Sequence, residues 1–184
     1  RLSLLNTPKK DSDQSRVSSF SRNDQKKILS GDSSFVIKEA YNLIRTNLLF
    51  MQQGEKCPIF VISSPTANNG KSINSINMAI SFAQMGKRTL LIDADMRNPT
   101  IHRMFSIPVK NGLSEILAGL TDSMSVSKTY IENLSVLTAG KIPPNPAELL
   151  SSNRMDKLLD FLRAHYDCVF IDTPPINIVT DSTL

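Results

Sequence analysis

Apolar positions along the chain fall into two recurring kinds of segment. Pro58-Ile-Phe-Val-Ile-Ser63, Arg88-Thr-Leu-Leu-Ile-Asp93 and Cys168-Val-Phe-Ile-Asp172 are short, nearly unbroken apolar runs, the signature of strands buried on both faces. Other stretches repeat every three to four residues. Residues 35–52 bring Phe35, Val36, Ala40, Leu43, Ile44, Leu48 and Met51 to one face behind a Ser33–Ser34 cap, which predicts an amphipathic helix. Residues 71–85 do the same with Ile73, Ile76, Ala79, Ile80 and Ala83, and Gly86 supplies a stop. Residues 146–165 carry helical spacing through Leu149, Leu150, Met155, Leu158, Leu159 and Leu162. Leu134–Thr138 reads as a further strand, and residues 112–119 and 123–131 as helical or mixed. Apolar strands alternating with amphipathic helices predict an α/β fold of three layers, a mostly parallel sheet flanked by helices.

Residues 1–33 break this pattern. They are rich in Ser, Lys, Asp and Asn, and their apolar residues keep no sustained period. Too little apolar surface is present to offset the entropy of ordering, so this stretch is expected to be a flexible basic arm, with a domain over 34–184. The arm reads either as a linker or as a basic tether near anionic lipid or a membrane partner. The charge distribution sharpens the division. The chain carries a net charge of +4, all of it within residues 1–29, and the remainder is balanced. A neutral domain argues against a duplex-binding face, so no nucleic-acid partner is expected.

Cys57 and Cys168 are the only cysteines and are too few and too far apart for a disulfide or zinc pattern. They are expected to be small buried hydrophobes in a reduced, cytoplasmic protein. No apolar run reaches the 18 or so residues of a membrane span, and the first residues do not read as a signal peptide. His102 and His165 stand alone, so both are read as surface or satisfied core residues.

Candidate chemistry lies where the strands end. Ser63-Ser-Pro-Thr-Ala-Asn-Asn-Gly-Lys-Ser72 joins a buried strand to a helix, the context that gives Gly-Lys-Ser its meaning. Thr66, Ala67, Asn68, Asn69, Gly70, Lys71, Ser72 and Ile73 are the candidate nucleotide cradle, because free backbone N–H groups and the helix dipole favour an anion there. In such a loop Lys71 would reach the β- and γ-phosphates and the Ser72 hydroxyl would bind Mg²⁺. The strict pattern wants glycine where Pro65 stands, and Asn68 and Asn69 are the residues most able to replace its backbone freedom. The second strand closes on Asp93-Ala-Asp95-Met-Arg97, two carboxylates on one side of a strand end. They supply a candidate base and a metal or water ligand, or alternatively turn caps. The last strand closes on Asp172-Thr-Pro-Pro175, the layout of a carboxylate that holds Mg²⁺ through water.

Together these segments resemble the bacterial tyrosine kinases of capsule and exopolysaccharide assembly, from about Glu39 onward. The resemblance rests on Ala-Tyr-Asn-Leu-Ile-Arg-Thr-Asn at 40–47, LLIDADMRNP at 90–99, LTAGKIPPNPAELLSS at 137–152 and FIDTPP at 170–175. It implies a P-loop NTPase fold related to partition and division-site ATPases, with ATP and Mg²⁺ as cofactors. By this resemblance Lys71 and Ser72 belong to Walker A, Asp93 and Asp95 to Walker A′ and Asp172 to Walker B. Lys71, Asp93 and Asp95 are then catalytic, with Asp93 taking the tyrosine proton, and Ser72, Asp95 and Asp172 hold the metal. Arg97 either touches phosphate or structures its loop. The implied activity is ATP-dependent tyrosine (auto)phosphorylation that regulates polysaccharide polymerisation and export, at the inner face of the membrane with a membrane activator. Partition ATPases usually carry an extra lysine where this chain has Thr66, which favours the kinase branch.

Departures from the family pattern leave a second expectation open, a nucleotide-binding assembly module of impaired catalysis. Ala67-Asn68-Asn69 stand where family loops commonly read Pro-Gly-Glu. The ring-forming Glu-x-x-Arg-x-x-Arg helix here has Glu39, Asn42 and Arg45, so self-association through it is expected to be weaker. Tyr41, Tyr130 and Tyr166 are scattered rather than clustered in a tail. The resemblance further implies elements beyond residue 184, so the domain is expected to be C-terminally incomplete.

Overall fold

The computed structural model describes residues 3–6, 26–66 and 69–176. Six strands form one sheet: β1 (Ser3–Asn6), β2 (Ile59–Ile62), β3 (Thr89–Asp93), β4 (Ser123–Lys128), β5 (Leu134–Leu137) and β6 (Cys168–Asp172), in the spatial order β1-β4-β5-β3-β6-β2. Strands β5, β3, β6 and β2 run parallel to one another, while β4 pairs antiparallel with β5 and carries β1 parallel on its outer side. The parallel strands therefore deliver their C-terminal ends to one edge. Register puts Asp93 level with Asp172 and Asp172 level with Ile62.

The helices are α1 (Phe35–Met51), α2 (Lys71–Ala83), α3 (Ile101–Met104), α4 (Leu113–Leu117), α5 (Pro146–Leu150) and α6 (Asn153–Arg163). Alternation along the central strands feeds two apolar layers. Leu90, Ile92, Val169 and Ile171 face a core with Leu113, Ile116, Leu158 and Leu162, from α4 and α6. Leu91, Phe170 and Val136 face the other, with Ile76, Ile80 and Phe82 of α2. There Phe170 stacks on Phe60 at 5.0 Å and meets Phe82 edge-on at 5.1 Å, so three aromatic rings clamp α2 against β2 and β6.

Several boundaries differ from those predicted. Residues 123–131 contain a strand, and its Ser-Met-Ser-Val-Ser-Lys sequence alternates at period two, the signal that a helical reading passes over. The helical pattern over 146–165 is two helices, broken at Ser152, whose extended backbone (ψ 152°) starts α6. The arm is not uniformly outside the fold. Ser3–Asn6 adds a strand to β4, and Ile28 and Leu29 are buried in the α2-side core. Asn77 of α2 fixes that segment, since its Oδ1 accepts from Leu29 N (2.7 Å) and its Nδ2 donates to the Lys27 carbonyl (3.1 Å). Ordered structure on this side begins before Ser34, because one buried amide supplies what the sparse apolar residues do not.

Helix α1 shows the largest departure. Its amphipathic spacing is real, yet none of its residues is buried. Tyr41, Leu48 and Leu49 pack toward α2, whereas Phe35, Val36, Leu43, Phe50 and Met51 face outward, with Phe35 77% and Phe50 74% exposed.

Candidate functional site

The phosphate-loop candidate begins where β2 leaves the sheet and ends at Gly70, which adopts the left-handed conformation (φ 71°) immediately before α2. Among the described residues an added Cβ there would meet only Asn74 Nδ2, 4.0 Å away, so the glycine serves backbone geometry. Thr66 closes the near part of the loop. Its Oγ1 accepts from Asn69 Nδ2 (2.7 Å) and its carbonyl from Ser64 Oγ (2.8 Å). Ala67 and Asn68 lie outside the described residues. Ile73 follows in the first turn of α2 and is half-buried.

Lys71, Ser72 and Asp172 converge although a hundred residues separate them in sequence. Lys71 Nζ donates to Asp172 Oδ1 at 2.8 Å, and Ser72 Oγ donates to Asp172 Oδ2 at 2.7 Å. Asp95 Oδ2 lies 3.8 Å from the same ammonium, and its Oδ1 accepts from Asn98 N. The loops are tied across the sheet edge: Thr173 N donates to the Ile62 carbonyl, Ile176 N to the Ser64 carbonyl, and Ala94 N to the Asp172 carbonyl. Three predicted residues thus meet at hydrogen-bonding distance and a fourth stands beside them.

Asp93 is arranged differently from its neighbour Asp95. It is fully buried, and its Oδ2 accepts from Thr100 N (3.1 Å) and Ile101 N (3.0 Å), which starts α3. Its Oδ1 has no hydrogen-bond partner among the described residues. Burial, then the charge of Asp172 and more weakly that of Asp95, lift its pKa to about 7 against the pull of the two backbone N–H groups. The turn-cap and functional readings of Asp93 are therefore compatible, one on each oxygen.

Beside this edge lies a mostly apolar cavity of about 470 Å³, lined among others by Ala94, Met96, Arg97, Ala147, Leu150 and Pro174. Its far wall is α5, and the loop leading to α5 is latched by Glu115. That carboxylate accepts from Gly112 N (3.0 Å), Ser114 Oγ (3.1 Å) and Lys141 N (3.1 Å). Sequence reasoning missed Glu115 and also Ser75, whose hydroxyl reaches Asp172. Glu115 stands at the third helical position and accepts from the N–H of the Gly112 cap, half of a capping box. Glycine has no side chain to complete the pattern, so the sequence carries only a partial signal for Glu115; no sequence signal announces Ser75.

The remaining candidates are distributed elsewhere. Glu39 and Asn42 pair with each other on the surface of α1 (3.0 Å), while Arg45 turns inward and donates to the Ser81 carbonyl of α2 (2.6 Å). Both cysteines are buried free thiols, and burial pushes Cys168 up to about 12. His165 is satisfied by the Phe161 carbonyl, but His102 Nδ1 is buried without a hydrogen-bond partner among the described residues, contrary to expectation. No helix among the described residues is long and apolar enough to cross a membrane.

The fold is that of the P-loop NTPases: a mostly parallel sheet flanked by helices, with the phosphate-loop candidate and a strand-borne carboxylate at one edge. Residues 59–184 match the AAA domain family. Tyrosine-protein kinase YwqD of Bacillus subtilis is 43% identical over 147 residues, covering 79% of this chain and 62% of that protein. The solved chimerical protein CapA2B2 is 44% identical with a TM-score of 0.70, covering 78% and 63% of the two chains. The kinase domain of VpsO is 34% identical with a TM-score of 0.65, covering 81% of this chain and 77% of that one. The chain belongs to the AAA domain family and, within it, to the bacterial tyrosine-kinase branch. Septum site-determining protein MinD of Pyrococcus horikoshii, solved with Mg-ADP, is 22% identical with a TM-score of 0.53 and shares the fold. The chain spans less than two thirds of the length of the curated relatives it matches first.

Proposed function

We propose that this protein transfers the γ-phosphoryl group of ATP to tyrosine, on neighbouring copies and partner proteins, and so regulates capsular or exopolysaccharide polymerisation and export. The observation that carries the reading is the convergence of Lys71 and Ser72 with Asp172 at the open end of the sheet. The donor set suits Mg²⁺, since a hydroxyl and carboxylates offer only hard oxygen ligands. Ser72, Asp95 and Asp172 would hold the ion, and Lys71 with the first N–H groups of α2 would hold the β- and γ-phosphates. When bound, the metal neutralises charge on the phosphate oxygens.

The chain's own residues then have distinct tasks. Lys71 exchanges Asp172 for phosphate, which frees the carboxylate for its metal role. The apolar cavity beside Ala94 and Met96 suits the ring of an acceptor tyrosine. As the phenol oxygen forms its bond to phosphorus, the bond from phosphorus to the ADP oxygen breaks and the phenol proton passes to Asp93 Oδ1. That oxygen has no hydrogen-bond partner among the described residues, and a carboxyl titrating near 7 matches the demand on a base at neutral pH. The apolar outer face of α1 offers a surface for self-association, and a membrane activator would bring the domain to the inner face of the cell membrane.

Phosphotyrosine formation by the intact protein with ATP and Mg²⁺ tests the proposal, with Lys71→Met as control. A chain that stays unphosphorylated even with its membrane activator would defeat it. A second reading, a nucleotide-dependent assembly module without transfer, is favoured by Arg45 being spent on α2 and Asn42 on Glu39. Under that reading, partner binding would respond to nucleotide and survive Asp93→Asn.

A further inference from the structure

Ser75 contacts the site from behind. It lies one turn beyond Lys71 on α2, is wholly inaccessible to solvent, and places Oγ 2.8 Å from Asp172 Oδ1. A buried helical serine is ordinarily satisfied by the carbonyl four residues earlier, and the Lys71 carbonyl is indeed 3.1 Å away. A hydroxyl has one proton to donate, however, and the carboxylate is both the closer and the charged acceptor. Asp172 thus receives three donors, Lys71 and Ser75 on Oδ1 and Ser72 on Oδ2.

These donors are not equivalent. Under the proposed function Lys71 leaves Asp172 for phosphate, and the Ser72 oxygen turns a lone pair toward the metal. Ser75 sits one turn further along α2, on the Oδ1 side of the carboxylate, and its one other acceptor among the described residues is the Lys71 carbonyl. With Lys71 gone, Ser75 is the remaining donor to Oδ1. We infer that Ser75 is a positioning residue for Mg²⁺, which holds the carboxylate plane of Asp172 so that Oδ2 keeps facing Ser72 and the metal when Lys71 departs. Groups that orient a metal's ligands in this way commonly change metal affinity by about 10–100-fold when removed.

The inference rests on the nucleotide and Mg²⁺ roles proposed above, and the test separates the two. A fluorescent ADP analogue is titrated into the intact protein in EDTA and again across a Mg²⁺ series, for wild type, Ser75→Ala, Ser75→Thr and Ser75→Val. Thr and Val match in shape and differ in the hydroxyl, so their comparison remains valid if the extra methyl shifts stability. The expected result is Mg²⁺-free affinity near wild type throughout, with half-saturating Mg²⁺ raised about tenfold in Ala and in Val but not in Thr. Ala and Val curves that superimpose on wild type, or that weaken equally with and without Mg²⁺, overturn the positioning role and leave the nucleotide reading standing. A wild-type protein whose nucleotide affinity ignores Mg²⁺ overturns both.

Discussion

Lys71 Nζ and Asp172 Oδ1 lie 2.8 Å apart, with side chains 7% and 0% exposed, one on the first turn of α2 and the other at the end of β6. This buried ion pair joins the helix that follows the phosphate loop to the central sheet. Its desolvation is offset by Ser72 and Ser75, which satisfy the same carboxylate. Removing one charge strands the other. Lys71→Met is expected to destabilise the nucleotide-free protein by about 3–5 kcal/mol, and Lys71→Met with Asp172→Asn to recover much of that loss. Urea unfolding of the single and double variants measures both; a double variant no better than the single would show that the cost is not electrostatic.

Asp93 predicts a pH dependence of stability with a defined sign. Its folded pKa is about 7 against an ordinary 3.8, so the native state holds a proton that the unfolded chain releases. Stability from this group is present at low pH and falls as pH rises from about 4 to 7, by on the order of 4 kcal/mol in all. Asp93→Asn should flatten that slope. Unfolding midpoints between pH 4 and 8, in EDTA without nucleotide, test it, and an unchanged slope in the variant would assign the dependence to another group.

The outward face of α1 predicts a separation of assembly from folding. Leu43→Glu and Phe50→Glu alter exposed positions that support no core. Each should change stability by no more than about 0.5 kcal/mol while weakening self-association. Sedimentation velocity with thermal unfolding distinguishes these effects, and oligomers that tolerate both changes would rule out this face.

Gly140 predicts a cost of another kind. Its φ is +85°, and an added Cβ would collide with Glu115 Oε2 and Ser114 Oγ. Gly140→Ala should therefore break the Glu115 latch and destabilise by about 1–3 kcal/mol. If α5 is the wall against which an acceptor lies, KM for a tyrosine peptide should rise more than nucleotide affinity falls. Equal losses would place the latch outside acceptor binding.

The sequence was most legible where one local pattern had one structural solution. Continuous apolar runs ending in aspartate became β3 and β6, and α2 followed from its spacing and from Gly86 beyond its end. Lys71, Ser72 and Asp172 could be grouped because parallel strands must end on the same edge. What escaped notice depended on contacts distant in sequence. Asn77 buries Leu29 through a hydrogen bond across 48 residues, and Ser75 reaches Asp172 across 97. Neither leaves a periodic trace. The apolar face of α1 was legible as a pattern but not in its direction, since periodicity says that a stripe exists and not what covers it.

Asn77 has a mechanical consequence. It stands six residues after Lys71 on the same helix and grips the backbone at Lys27 and Leu29 from two sides of one amide. A pull applied at Lys27 would therefore load α2 directly. Six residues of helix span about 9 Å, so a tug at this anchorage acts on the lysine through a short, stiff lever.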